Sequence, residues 1–121
     1  MPSRALVSEK MADLLGAISH PLRIRIIEEL NAGEKDVSSL KLAINIRHSS
    51  VSQHLCILKA QKVVKSRKEG NRVFYSLTQP ELANWLLLGL VYIDGGLESE
   101  QALRSAVSDA RIKWRQLPEN E

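Results

Sequence analysis

The sequence lacks the features that mark secreted and membrane proteins. Its 121 residues include one cysteine, which excludes an intramolecular disulfide and is typical of a reducing cytoplasm. The longest apolar run, WLLLGLVYI at 85–93, is far shorter than the ~20 residues that a membrane span requires. The N-terminus carries Glu9 where a secretory signal would need apolar residues. We therefore expect a soluble, cytoplasmic protein with no membrane partner.

Signatures of catalysis are also missing. The chain has no Gly-rich phosphate loop, no nucleophile motif and no histidine beyond His54. Those are the parts from which an active site is ordinarily assembled. We therefore expect a protein that is not an enzyme and has no cofactor. The 44% hydrophobic content suits one compact domain over residues 1–121.

What the sequence does have is basic charge concentrated in its middle third. Residues 41–78 hold eight lysines and arginines against one acidic residue, Glu69. The first 40 residues have a balance of −1, and residues 79–121 have a balance of −3. Charge confined to one segment favours a localised anionic partner, for which a phosphate backbone is the usual candidate. The alternative is a solvated basic surface.

Hydrophobic spacing predicts four helices before residue 62. The first runs from about 5 to 18, and the second begins at Pro21 and ends near Asn31. Asp36 is a good N-cap for a short third helix. A turn at 45–47 then leads into the fourth helix, at about 48–61.

The period then changes to the alternation of strands. Residues 63–77 predict a hairpin around Gly70 and Asn71, both of which tolerate positive φ. This loop pairs Glu69 with Arg72, Arg67 with Phe74 and Ser66 with Tyr75. One face then carries Val64, Ser66, Val73, Tyr75 and Leu77, and the other carries Lys65, Arg67 and Arg72.

Two more helices complete the predicted chain. Thr78 and Glu81 form a capping box that opens a fifth helix, and this helix is apolar nearly all round as far as Ile93. A sixth helix follows at about 97–116. The fold class is mainly α with a β-hairpin wing, in the order ααααββαα. Two short helices joined by a turn and followed by a basic hairpin indicate a winged helix-turn-helix.

The residues themselves resemble a known family. SHPLRIRIIEEL, followed by VSSLKLAINIRHSSVSQHLCILKAQKVVKSRKEGNRVFYSL, is similar to the ArsR/SmtB-type bacterial repressors, in continuous register over about 19–78. The resemblance implies a DNA-binding core at about 19–78 and a homodimer on a palindromic operator of double-stranded DNA. It also implies dimerisation through helices at about 5–18 and 80–116, which agrees with the apolar fifth helix. We therefore expect a repressor that uses the 48–61 helix and the 63–77 wing.

The fourth helix separates into a core face and a polar face on a 100° wheel. Val51, Leu55 and Leu58 cluster on one side. Small hydroxyls and amides near a helix N-terminus suit close contact with bases or phosphates. The residues predicted to bind DNA from this helix are Arg47, His48, Ser49, Ser52 and Gln53. The alternative for Ser49 and its neighbour Ser50 is helix capping alone.

In the hairpin, the residues predicted to contact DNA are Arg67, Lys68, Asn71 and Arg72. They would bind phosphates or enter the minor groove. The alternative is a solvated hairpin with a cross-strand pair between Glu69 and Arg72.

The metal sites of responsive relatives are missing. Where those relatives carry a Cys-x-Cys pair this chain has Asp36 and Ser38, and no histidine follows His54. His54 and Cys56 lie about 160° apart around their helix, so they cannot share an ion. We therefore predict no metal site, and we interpret His54 as a boundary histidine hydrogen-bonded to the neighbouring helix. We place His20 in the turn between the first two helices.

Cys56 is a candidate redox switch. It lies on the polar face with Lys59 three residues on, and basic surroundings favour a reactive thiolate. The alternative is a tolerated small side chain, because the chain has no resolving cysteine.

Three functional alternatives stay open: a thiol-responsive repressor, a winged-helix module that binds protein or RNA, and a repressor without a ligand. The sequence does not identify an inducer.

Overall fold

The computed structural model describes residues 3–94, 105, 107–109 and 111–112. The described residues through Gln79 form one compact unit, and those from Pro80 onward belong to a second. The prediction of a single domain over 1–121 stays a prediction. The elements in chain order are α1 (Arg4–Ile18), α2 (Pro21–Asn31), β1 (Lys35–Asp36), α3 (Val37–Ile44), α4 (His48–Ala60), β2 (Val64–Glu69), β3 (Arg72–Leu77) and α5 (Leu82–Asp94).

Polar side chains determine where the second and third helices begin. The His20 ring accepts a hydrogen bond at Nδ1 from the Leu22 amide at 3.0 Å, with Pro21 in the first turn. Asp36 accepts one at Oδ1 from the Ser39 amide at 2.9 Å, which confirms its prediction as an N-cap. His20 therefore caps α2 and does not merely occupy the turn before it.

The core of the first unit is formed by apolar side chains that recur every three to four residues along each helix. The fully buried residues of the helices are Ile26, Ile27, Leu40, Val51, Leu55 and Leu58. On α1, by contrast, only the last turn is buried, at Ala17 and Ile18. Val7 and Met11 of the same helix are exposed.

The hairpin has the predicted register. Glu69 pairs with Arg72, Arg67 with Phe74 and Ser66 with Tyr75. Gly70 has a φ of +62°, whereas Asn71 does not have a positive φ. This is the pattern of a type II′ turn, in which only the first central residue needs positive φ.

A third strand extends this sheet and was missed in the sequence. Lys35–Asp36 pairs antiparallel with β3, opposite Tyr75 and Phe74, so that the strand order is β1-β3-β2. Two residues are too few to show an alternating pattern. The consequence for function is that the loop before α3 lies directly beside the wing.

The fifth helix begins at Leu82, three residues later than a capping box at Thr78 and Glu81 would place it. The amide of Thr78 donates to the carbonyl of Val63 at 3.0 Å, so this amide extends the hairpin and is not available to Glu81. The predicted sixth helix at about 97–116 lies mostly outside the described residues, although those described from 105 to 112 are helical. Within the described part of the chain, no helix is long and apolar enough to cross a membrane.

Candidate nucleic-acid interface

Helix α4 has a buried face and an exposed face, as the wheel predicted. Val51, Leu55 and Leu58 are completely buried. The exposed side carries His48, Ser49, Ser52, Gln53 and Cys56. Its side chains are short or uncharged, and α4 contains no acidic residue. This face can therefore approach an anionic surface closely without like-charge repulsion.

Arg47 lies immediately before α4 and is exposed. It takes the N-cap position with extended backbone and makes no side-chain capping hydrogen bond. The first turn of α4 therefore keeps free amide groups at the positive end of its dipole. An anion placed there would meet these amides, with the positively charged Arg47 at the adjoining position of the chain.

His54 differs from its prediction as a hydrogen-bonded boundary residue. Its Nδ1 is buried and has no hydrogen-bond partner among the described residues. Its ring instead packs against that of His20, with ring centroids 4.4 Å apart. Burial, followed by the nearby charges of His20 and Arg23, lowers the pKa of His54 below 6.5. The ring packing holds α4 against the start of α2.

The wing carries two arginines on its outer face, around the ring of Phe74. The Arg67 guanidinium carbon lies 4.7 Å from the ring centroid, and that of Arg72 lies 5.0 Å from it. Both distances are within the range of cation–π attraction. The predicted basic face of the hairpin is therefore confirmed, with an aromatic side chain as its platform.

Arg67 is held by two carboxylates. Its Nε lies 2.9 Å from each carboxylate oxygen of Glu34, and its Nη2 also donates to Glu34. Nη1 donates to Glu69 at 2.6 Å. The hydrogen bond to Glu34 and, after it, the hydrogen bond to Glu69 raise the pKa of Arg67. The hydrogen bond from Arg67 lowers the pKa of Glu34. All three guanidinium nitrogens are engaged within the protein.

Arg72 is held by one carboxylate. Its Nε donates to Oδ2 of Asp36 at 3.0 Å, and Nη2 donates to the same oxygen. Hydrogen bonds from Ser39 and then from Arg72 hold the pKa of Asp36 well below its usual range. Glu69 and Arg72 lie opposite each other in the register, but the predicted alternative of a side-chain pair between them is wrong, because Glu69 bonds to Arg67 and Arg72 bonds to Asp36.

The acidic residues Glu34 and Asp36 were missed as partners of the wing. The sequence marked Asp36 only as a cap, and their approach to the wing depends on the short strand β1 pairing with β3. One feature of the sequence could have indicated this contact: two carboxylates lie two residues apart just before a helix, in a chain whose hairpin is basic.

Lys68 and Asn71 are exposed near the tip of the wing. Away from the tip, the wing is joined to α4, where Nζ of Lys59 donates to Oγ of Ser66 at 2.8 Å. The fold therefore brings the predicted residues of α4 and of the hairpin into one compact unit. Which of them touch DNA stays a prediction.

Cys56 is exposed on the polar face of α4, where the wheel placed it. The amine of Lys59, which the sequence suggested as the group favouring a thiolate, instead donates to Ser66.

No group of three or more potential metal ligands occurs among the residues that the structure describes.

Residues 20–66 match the family described as bacterial regulatory protein, arsR family. The transcriptional repressor SmtB homolog of Synechocystis is 35% identical over 77 residues, which are 64% of this chain and 58% of that protein. The transcriptional repressor PagR of Bacillus anthracis is 33% identical over 75 residues, which are 61% of this chain and 75% of PagR.

Solved structures support the same grouping. The homodimeric winged helix-turn-helix DNA-binding domain Mb0332 from Mycobacterium bovis matches with a TM-score of 0.69 and 26% sequence identity. That match covers 84% of this chain and 94% of Mb0332.

A helix-turn-helix formed by α3 and α4 and followed by a basic two-stranded wing defines a winged helix-turn-helix transcription regulator. This chain belongs to the arsR family of bacterial regulatory proteins, which confirms the resemblance found in its sequence. The family is one of transcriptional regulators and not of enzymes.

Proposed function

We propose that this protein is a cytoplasmic, homodimeric transcriptional repressor that binds a palindromic operator of double-stranded DNA. The observation that carries the proposal is the exposed polar face of α4, which lacks acidic side chains and is joined to the basic wing through Lys59 and Ser66. A surface of this kind fits a major groove and the phosphates that border it.

In the proposed complex, α4 enters the major groove and reads base edges with Ser49, Ser52 and Gln53. His48 lies at the entrance to the groove, and Arg47 binds a phosphate beside the first turn of the helix. The wing reaches the neighbouring backbone with Lys68, Asn71 and Arg72. Arg67, which the sequence grouped with them, contributes through the structure of the wing because its nitrogens are engaged.

The proposed homodimer is supported by exposed apolar residues on two helices. Those of α1 are Leu6, Val7, Met11 and Leu15, and those of α5 are Trp85, Leu88, Val91, Tyr92 and Ile93. Exposed apolar surface of this extent is typical of an interaction site. A two-fold dimer would place its two recognition helices about one DNA turn (~34 Å) apart, which requires a palindromic site.

Repression is proposed because the relatives include proteins named as repressors, and because a dimer covering a promoter blocks transcription sterically. No cofactor or metal is part of the proposal. A thiol switch at Cys56 has no support beyond the exposure of its side chain.

The test is to map the operator by footprinting on the promoter of the protein's own operon and to titrate that duplex by fluorescence anisotropy. Gln53→Ala should weaken specific binding by about 1–3 kcal/mol and relax the preference at one base pair, since an amide contact to a base is worth about that much. Gln61→Ala is the matched control, because Gln61 is an exposed glutamine at the C-cap of the same helix, about two turns beyond Gln53.

Equal losses for Gln53→Ala and Gln61→Ala would contradict the proposed reading face. Absence of salt-sensitive binding to any duplex would contradict the function itself, since phosphate contacts make the affinity fall steeply with salt. Tighter binding to single-stranded RNA or to a protein would favour the alternative of a winged-helix interaction module.

A further inference from the structure

The two arginines of the wing differ in what they leave available to a partner. All three guanidinium nitrogens of Arg67 donate hydrogen bonds to Glu34 or Glu69. Arg72 uses only Nε and Nη2, both on Asp36, and its Nη1 has no hydrogen-bond partner among the described residues. The Arg72 side chain is 63% exposed. Each guanidinium nitrogen of Arg67 is therefore already bonded within the protein, although its side chain is 49% exposed, while Arg72 keeps Nη1 free to bind a partner.

The carboxylate that holds Arg72 is itself fixed in place. Asp36 has a side chain that is only 9% exposed. Its other oxygen accepts the Ser39 amide at 2.9 Å, at the start of α3. Its backbone pairs with β3 opposite Phe74, whose ring lies beside the guanidinium. Arg72 is thus oriented from two sides by groups that belong to the helix-turn-helix and to the sheet.

We propose that Asp36 is a positioning residue for DNA binding, which orients the free edge of Arg72 toward a phosphate, whereas Glu34 withholds Arg67 from DNA. The inference rests on the proposed DNA-binding function. An exposed arginine must lose side-chain freedom when it binds, and prior orientation removes part of that cost. A bidentate guanidinium can hold a carboxylate with one edge and a phosphate with the other.

Removing an acidic side chain near DNA ordinarily strengthens binding, but at Asp36 the opposite is expected. Asp36→Asn should lower the affinity for the operator about threefold or more and reduce the slope of log affinity against log salt by about 0.9, as expected for the loss of one phosphate contact. Glu34→Gln should bind at least as tightly as wild type, since it releases Nε and Nη2 of Arg67 from their ion pair with Glu34. The two variants make the same change in net charge.

The conservative change at Asp36 separates positioning from folding. Asparagine is as good an N-cap as aspartate, so the bond to Ser39 is retained while the ion pair with Arg72 is lost. Thermal unfolding of Asp36→Asn checks that the variant is folded. Asp36→Ser, which also caps a helix well, provides a second variant with the same expected loss of affinity.

A double-mutant cycle with Arg72→Ala completes the test. Arg72→Ala alone should lower the affinity and the salt slope as Asp36→Asn does, and adding Asp36→Asn to it should cause no further loss. If Asp36→Asn binds as tightly as wild type, or lowers the affinity by the same factor with and without Arg72, the positioning role is wrong. If wild type shows no salt-dependent binding to duplex DNA, it is the proposed function that fails.

Discussion

The fold buries a polar atom of His54 without giving it a partner among the described residues. The groups near it are the His20 ring and the positively charged Arg23, so a proton on His54 would lie close to the charge of Arg23 in a partly buried place. These surroundings explain why the pKa of His54 lies below 6.5, with burial as the larger cause.

The lowered pKa of His54 predicts a dependence of stability on pH. Just below pH 6.5 the unfolded chain binds a proton at His54 that the folded chain does not. The free energy of unfolding therefore rises with pH in this range, and the contribution of His54 to stability is lost as the pH falls. His54→Gln should therefore flatten the change in stability between pH 7.5 and pH 5.5, as measured by urea denaturation.

His48→Gln is the matched control, because His48 is an exposed histidine of the same helix. It should keep the wild-type difference in stability between the two pH values. A difference in His54→Gln as large as that in wild type would show that His54 does not contribute.

Individual residues were predicted unevenly from the sequence. The exposed side of α4 followed from helical period, because burial of Val51, Leu55 and Leu58 determines which way the other side chains point. The pairing of Glu34 with Arg67 and of Asp36 with Arg72 did not follow, because the partners lie 33 and 36 residues apart along the chain. No local pattern reports a contact at that separation.

Among the elements, α4 ends in a motif that usually contains glycine. The amide of Lys62 donates to the carbonyl of Lys59 and that of Val63 to the carbonyl of Leu58, each at 2.9 Å. This is the pair of bonds of a Schellman motif. Lys62 has a φ of +59° in it, a conformation that costs an L-residue with a Cβ roughly 1–2 kcal/mol.

Lys62→Gly should raise the free energy of unfolding by about 0.5–1 kcal/mol. Glycine removes the strain of the left-handed conformation, although its greater freedom in the unfolded chain offsets part of the gain. Chemical denaturation of Lys62→Gly measures the effect. Lys62→Ala keeps a Cβ and removes the same charge, so a similar gain in that variant would assign the effect to charge and not to backbone strain.

The hairpin and the strand β1 show which elements a sequence can specify. The register of β2 and β3 was predictable because a two-residue loop at Gly70 and Asn71 determines every pair after it. Strand β1 was not, since Lys35 and Asp36 become a strand only when β3 is beside them. The start of α5 was displaced for a related reason, because the Thr78 amide bonds to Val63.

At the scale of the whole molecule, the apolar residues exposed on α1 and α5 predict self-association. Leu88→Lys should shift the protein from dimer to monomer, as measured by size-exclusion chromatography with light scattering. Leu88 is 72% exposed in a single chain, and a lysine there would bury a charge in the proposed interface without disturbing the core.

Leu42→Lys is the control for Leu88→Lys, because Leu42 of α3 is 81% exposed and lies outside both helices. It should keep the mass of the wild-type protein. A Leu88→Lys variant that also keeps that mass, or a Leu42→Lys variant that dissociates as well, would contradict the proposed interface.

The sequence by itself determined the helices of the DNA-binding core, the hairpin register and the polar face of α4, because each depends on interactions among residues close together in the chain. Only the tertiary structure decided how the basic residues of the wing are used. Pairing of β1 with β3 brings Glu34 and Asp36 to the wing. There Glu34, together with Glu69 of β2, engages all three guanidinium nitrogens of Arg67, and Asp36 engages Arg72 on one edge only. The number of arginines was readable from the sequence, but their availability depends on carboxylates that only folding places beside them.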